Sequence, residues 1–381
     1  MPRLATHAAG TLVPMTMTAP ARARLRTFGI EEEIVLLDPA VLAPLDVAER
    51  VLAAIPPADA EGVERELLLA QLEFASPVLT GQGEADAALR RFRAAVASAA
   101  EGVGAMAASV GSPVGEGATS VREGERYEGF EGLMGALLPE HRMQGLHVHV
   151  GIASRDEGVR AMNALRPWLA PLLALTASSP VSGGADTGFA SWRTGIARRL
   201  TTAGAPPAFA DAADYDRRAA ALLGLGTTTD RASLWWSMRL CEHHPTVEVR
   251  VCDAQLTSGE SVAVALLVRA LVDVAAAGAL PHAPASAAPE LVEAALWHAA
   301  KHGMAAGLHH PGTALMADAW TVVAAMLEHA RPALAASGDL ARVDAWLARV
   351  RVDGTGADRQ RAALAHGLPA LGALLRGAFT A

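Results

Sequence analysis

Four short stretches of this 381-residue chain carry acids, imidazoles and guanidinium groups at every second position. In Gly29-Ile30-Glu31-Glu32-Glu33-Ile34, Glu31 and Glu33 share one face of an extended strand, about 7 Å apart. In Gln71-Leu72-Glu73-Phe74, Glu73 opposes Leu72 and Phe74. In Leu146-His147-Val148-His149-Val150 the two histidines share a face opposite the aliphatics. In Thr246-Val247-Glu248-Val249-Arg250-Val251, Glu248 and Arg250 lie together opposite three valines. If one antiparallel sheet buried all four apolar faces on helices, its other face would gather Glu31, Glu33, Glu73, His147, His149, Glu248 and Arg250. So many acids on one surface repel each other, and burying them uncompensated is expensive. Divalent cations solve that problem. Carboxylates with an occasional imidazole suit Mg²⁺ or Mn²⁺, phosphate oxygens complete the shell, and arginine neutralises charge on a transferring phosphoryl group. Taken singly, a glutamate run reads as a solvated face and a Glu-x-Arg pair as a weak surface ion pair. Together they point to one site, because solvated strand faces normally mix in Thr, Ser, Lys and Gln. Glu66, seven residues before Glu73, faces the wrong way in a flat strand and reaches such a site only from a preceding loop or bulge.

The elements that must position these residues are four strands, 27–37, 69–78, 144–152 and 246–253, bounded by Gly, Pro or polar residues. Helical spacing occupies 84–109, 157–178, 260–278, 289–303, 313–335, 338–350 and 358–376, while 181–210 reads as a loop. Strands far apart with helices in blocks predict an α+β fold with an antiparallel sheet. The expected organisation is a disordered tail over 1–26, a catalytic core over 27–256 and a helical C-terminal region over 257–381 packed on the same core. Met15 and Met17 are further candidate start positions for the chain.

Composition narrows the function. Apolar residues make up 51% and charged residues 19%, enough for a sizeable core. The net charge of -8 argues against nucleic-acid binding, which needs clustered positive charge. Lys301 is the one lysine, so no Gly-Lys-Ser/Thr phosphate loop exists. Apolar stretches are interrupted by charge, which predicts no membrane span, and the reading is a cytoplasmic protein with reduced thiols. Cys241 and Cys252 fit no zinc spacing. By alternation Cys252 falls on the polar face or its rim. Trp235 and Trp236 read as core packing, and His243-His244 and His309-His310 as exposed loop pairs. Ser191 lacks the Gly-x-Ser-x-Gly frame of a nucleophile elbow. A metal-dependent hydrolase built on His147 and His149 is an alternative, as is a non-catalytic nucleotide or metal binder.

Phe28-Gly29-Ile30-Glu31-Glu32-Glu33, Glu66-Leu67-Leu68 with Leu72-Glu73-Phe74-Ala75-Ser76, and His147-Val148-His149-Val150-Gly151 occur in that order, followed by the runs 186–193 and 245–253. Over roughly 27–300 the chain resembles the bacterial carboxylate–amine ligase family related to glutamate–cysteine ligase, second bacterial class. The resemblance implies a glutamine-synthetase-like curved antiparallel sheet with helices packed on one face and a helical C-terminal region. It implies ATP and two or three Mg²⁺ ions (or Mn²⁺), an acyl-phosphate intermediate, and small-molecule substrates: an amino-acid carboxylate and an amine. Glu31, Glu33, Glu66, Glu73, His147 and Glu248 are the implied metal ligands. Arg193 and Arg250 would contact phosphate or the intermediate, and His149, Arg239 and Asp186 would bind substrate or nucleotide. A homo-oligomer is also implied. One departure is that Ser237 and Met238 precede Arg239, where relatives often carry an acid.

Overall fold

The computed structural model describes residues 25–381. Of the expected N-terminal tail, 1–24 lie outside the described residues. Arg26 is held in place by Glu157, by Asp273 at 2.6 Å and by the Gly151 carbonyl at 2.9 Å.

The strands are β1 (Phe28–Leu37), β2 (Val63–Arg65), β3 (Gln71–Ala75), β4 (Met106–Ala108), β5 (Gly145–Gly151), β6 (Val181–Ser182), β7 (Ala185–Asp186), β8 (Met238–Leu240), β9 (Thr246–Asp253), β10 (Leu308–His310) and β11 (Leu315–Ala317). Seven of them form one sheet in the order β2-β3-β1-β5-β9-β8, with β4 also paired to β1. All its pairs are antiparallel. β6–β7 and β10–β11 are separate hairpins. This is the α+β arrangement around an antiparallel sheet that the sequence predicts.

One face of the sheet buries Ile30, Ile34, Leu72, Phe74, Leu146, Val148, Val247 and Val249 in the main core. Helix Ser258–Ala276 covers β5 and β1 there. It is apolar on nearly every side, as a helix at the centre of a core must be. Thr257 and Glu260 close its N-terminus as a capping box. Helices Arg155–Leu165, Ala319–Ser337 and Gln82–Gly102 pack around it. The same core cluster therefore joins the strands to the C-terminal helices. At the far end of β1 the other face becomes apolar too. Val35 and Leu37 pack with Ala108, Leu371 and Leu375, so helix Leu368–Phe379 closes that end.

Several expectations need correction. The helical reading over 84–109 ends at Gly102, and Met106–Ala108 is a strand. The loop over 181–210 contains the β6–β7 hairpin and helix Trp192–Ala197. The C-terminal region contains the β10–β11 hairpin, so His309 and His310 lie half-buried in a strand, not in an exposed loop. His310 sits edge-on to Trp168. Cys252 is fully buried in the core, away from the polar face. The cause is a bulge. Val148 pairs with Val249 but Leu146 pairs with Cys252, so β9 carries one extra residue there. A one-residue slip exchanges the faces. Asp253 consequently lies opposite Gly145.

Candidate active site

Cross-strand register assembles the polar face. Glu33 lies opposite Glu73, Glu31 opposite His147, and His149 opposite Glu248, which in turn lies opposite Arg239. Directly opposed side chains on one face are near neighbours. Glu31 thus reaches both imidazoles, His147 Nδ1 at 3.1 Å and His149 Nε2 at 2.9 Å. Glu33 accepts a hydrogen bond from the Gly145 amide at 2.6 Å and lies 3.7 Å from His147 Nε2. Gly145 is required for space. A Cβ there would stand 2.4 Å from the Arg193 guanidinium and 2.8 Å from His147 Nε2. Glu248 is clasped by Arg239 at 2.6 and 3.2 Å and by Arg250. Glu66 follows β2 directly, and from that turn its charge acts on both Glu33 and Glu73.

The electrostatics divide the acids into two groups. Burial opposes ionisation of Glu248, but the charges of Arg250 and Arg239 hold its pKa down at about 2. Burial likewise opposes ionisation of Glu31, and hydrogen bonds to His147 and His149 outweigh it, holding that carboxyl well below the usual range. Glu33 behaves oppositely. Burial and the nearby Glu66 charge push it up to about 7, against the pull of Arg193 and Arg250. Glu73 is pushed well above the usual range by burial and then by Glu66, Glu31 and Glu33. Burial and Arg250 hold His147 neutral, with a pKa of about 4. Burial opposes the charged form of His149, yet bonds to Cys241 and Glu31 raise it to about 10.

A divalent cation fits this donor set. Ligand atoms of Glu31, Glu73 and His147 lie within 4.8 Å of one another, as do those of Glu31, His149 and Glu248. His147 Nε2 is buried with no hydrogen-bond partner. An orphaned imidazole nitrogen among carboxylates that resist joint ionisation fits the donor chemistry of an oxygen-rich Mg²⁺ or Mn²⁺ site.

Arg193 and Arg250 meet beside this cluster. The Arg193 guanidinium donates to the Arg250 carbonyl at 3.2 Å, and Arg250 lies 3.3 Å from His147 Nδ1. Arg193 is positioned by a residue that the sequence reading left unassigned, Asp253. Its carboxylate accepts from the Ser178 amide at 2.9 Å, Ser179 Oγ at 2.7 Å and Ser191 Oγ at 2.8 Å, and lies 3.9 Å from Arg193. Ser191 also caps helix Trp192–Ala197, which carries Arg193. The signal for Asp253 was its place at the end of an acid-bearing strand, but the bulge hid its phase.

Two cavities flank the cluster. One, of about 790 Å³, is mainly apolar and lined by Phe28, Val78 and Pro245 together with Glu31 and His149. The other, of about 50 Å³, is lined by Arg193, Arg198 and Arg250. Asp186 stands apart from the cluster's hydrogen bonds, paired with Arg361 at 3.0 Å in the β6–β7 hairpin. Trp236 packs on Phe209 and Tyr215, and Trp235 on Phe130 and His141, as core and rim aromatics.

The family model described as glutamate–cysteine ligase family 2 matches residues 27–376. The chain belongs to glutamate–cysteine ligase family 2. Membership makes it an ATP-dependent ligase that joins a carboxylate to an amine. A relative from Saccharopolyspora erythraea named "Putative glutamate--cysteine ligase 2-1" is 39% identical over 340 residues, covering 88% of this chain and 89% of that one. Among solved structures, glutamate–cysteine ligase from Francisella tularensis in complex with AMP superposes with a TM-score of 0.64. It shares 12% identity, and the match covers 94% of this chain and 90% of that one. A bifunctional glutathione synthetase from Pasteurella multocida gives a TM-score of 0.68 at 15% identity. That match covers 94% of this family 2 chain but only 52% of the longer protein. At such identities the two structures speak to fold alone. No helix among the described residues is long and apolar enough to cross a membrane.

Proposed function

We propose that this chain activates a carboxylate with ATP as an acyl phosphate and passes the acyl group to an amine. The supporting observation is Glu33 opposite Glu73, an excess of buried negative charge beside the unpartnered His147 Nε2. That surplus calls for cations, and a metal-bound triphosphate supplies them. Glu31, Glu33, Glu66, Glu73, His147 and Glu248 would hold two or three Mg²⁺ ions, with Mn²⁺ able to substitute. The ions supply charge neutralisation for the triphosphate. Arg193 and Arg250 neutralise the phosphoryl group as a substrate carboxylate oxygen attacks the γ-phosphorus and ADP leaves. The amine then attacks the acyl carbon, phosphate departs with the former carboxylate oxygen, and the nitrogen loses a proton to give the amide. Arg239 keeps Glu248 ionised and fixed, and His149 borders the large cavity, whose volume suits a nucleoside.

The test is ADP release with Mg-ATP across pairs of carboxylates and amines. The relatives' names make glutamate with cysteine the first pair to try. Hydroxylamine in place of the amine should trap the acyl phosphate as a hydroxamate. No ADP from any pair, together with no ATP binding, would end this reading.

A further inference from the structure

Helix Gly356–Leu364 lies in the C-terminal region, far in sequence from the acid cluster, yet it grips the segment 177–193 that carries Arg193. Near the start of that segment the Ala357 amide donates to the Ala177 carbonyl at 2.9 Å. Gln360 Nε2 donates to the Ser178 carbonyl at 2.8 Å and to Ser178 Oγ at 3.1 Å. Near its end Arg361 donates to the Phe189 carbonyl at 2.8 Å and to Asp186 at 3.0 Å. Gln360 is 1% exposed, so its bonds are made out of water, where they are strongest. Gly356 allows this close approach, since a Cβ there would stand 2.4 Å from Ser178 Oγ.

From Ser178 the contacts run on to Arg193. The Ser178 amide donates to Asp253, and Ser179 Oγ donates to the same carboxylate while accepting from the Arg193 amide at 3.1 Å. The Trp192 amide donates to the Ser179 carbonyl at 2.9 Å. Ser178, Ser179 and Asp253 are all buried. The Arg193 side chain depends on this frame, because its own ties are weak. Its guanidinium reaches the Arg250 carbonyl at 3.2 Å and Asp253 at 3.9 Å, and its Nε is buried with no partner. A functional group tethered so lightly keeps its place only as well as the residues behind it.

We infer that Gln360 is a positioning residue for the reaction, acting through Ser178 and Asp253 to hold the Arg193 guanidinium beside the acid cluster. The inference rests on the ligase reading for what Arg193 does. Removing the Gln360 donors does not strand the Ser178 carbonyl, which keeps the Gly111 amide at 3.0 Å. The loss therefore falls on the placement of the segment, and a shift of order 1 Å at a reacting group costs up to about 10²-fold in rate.

The test is steady-state ADP release by the whole protein, with a crystal structure of the same variant. Gln360→Met should lower kcat about tenfold and leave the KM for ATP within about twofold. Arg359→Gln, on the same helix but paired with Glu260 instead of the segment, should keep its kcat. In an Asp253→Asn background, Gln360→Met should change kcat by less than about twofold, because residues acting through one another are not additive. An unchanged kcat in Gln360→Met overturns the inference, as does an equal fall in Arg359→Gln or a full second loss in the Asp253→Asn background. The crystal structure decides without turnover, and even if Asp253→Asn misfolds. It should show the Arg193 guanidinium displaced from the Arg250 carbonyl in Gln360→Met, and an unmoved Arg193 overturns the inference. Full kcat in Arg193→Met would sink the ligase reading of that arginine. Loss in Arg193→Met without loss in Gln360→Met would sink only this inference.

Discussion

Glu32 and Glu33 are adjacent in β1, and the pleat sends them to opposite faces with opposite consequences. Glu32 enters the helix-covered core, where it is 0% exposed. There Arg93 clasps it with hydrogen bonds of 2.8 and 2.6 Å, and Ser261 Oγ donates at 2.6 Å. The remaining Arg93 donors reach the carbonyls of Gln255 and Leu256. Every charge in that group has its partner. Glu33 meets Glu73 across the strand pair and Glu66 from the turn, with too little positive charge nearby. The first region is closed and structural. The second has a deficit of positive charge, which under the proposed function cations fill.

The largest expected effect breaks the closed region. Arg93→Met strands Glu32 in the core and should cost about 3–5 kcal/mol in chemical denaturation, with kcat per folded molecule unchanged. The double variant Glu32→Leu with Arg93→Met should recover most of that loss, since apolar replacement of both partners removes the stranded charge. A double variant as unstable as the single one would show that the pair does more than neutralise itself.

The open region should answer in reverse. Glu33→Gln or Glu73→Gln should lower kcat/KM by about 10²–10³-fold, as expected for lost metal-assisted charge stabilisation. Neither should lower the metal-free Tm, because each removes a charge that the folded protein resists. A fall in Tm like that of Arg93→Met would erase the distinction between the two faces.

Stability against pH sharpens the same contrast. The Glu33 pKa is raised from 4.5 to about 7 in the folded chain. Between those values the folded protein keeps a proton that the unfolded chain has released. Metal-free stability should therefore fall as pH rises from 4.5 to 7, by about 2–3 kcal/mol. Glu33→Gln should flatten that slope. Mg²⁺ affinity, measured by calorimetry, should rise through the same window, because the cation requires the carboxylate. The smallest effect is a surface control. Arg65 and Glu49 pair at 3.0 Å with side chains half exposed, so Arg65→Ala should leave the denaturation midpoint indistinguishable from that of the unaltered protein.

The strands that build the site were legible because each alternates over several residues. β2, β4 and β8 were not, since three residues hold too little period to separate a strand from a turn. The convergence of Glu31, Glu33, Glu73, His147 and Glu248 followed from one assumption, that all four apolar faces share a core. The phase of Cys252 and Asp253 was illegible because the bulge inserts a residue that leaves no composition signal. The Glu32–Arg93 pair was hidden by its separation of 61 residues in sequence. Glu66 was sought in a loop or bulge, since the count to Glu73 excluded a continuous strand, and it follows the end of β2. The unmet donors of the small cavity come from residues 193, 198 and 235, which only the folded chain brings together.

A crystal soaked with Mn²⁺ and a non-hydrolysable ATP analogue tests the central claim most directly, read by anomalous scattering. The account predicts manganese peaks among Glu31, Glu73 and His147 and among Glu31, His149 and Glu248, with the nucleotide bound on the same face of the sheet. Nucleotide bound elsewhere, or an anomalous map featureless over that face of the sheet, would contradict it.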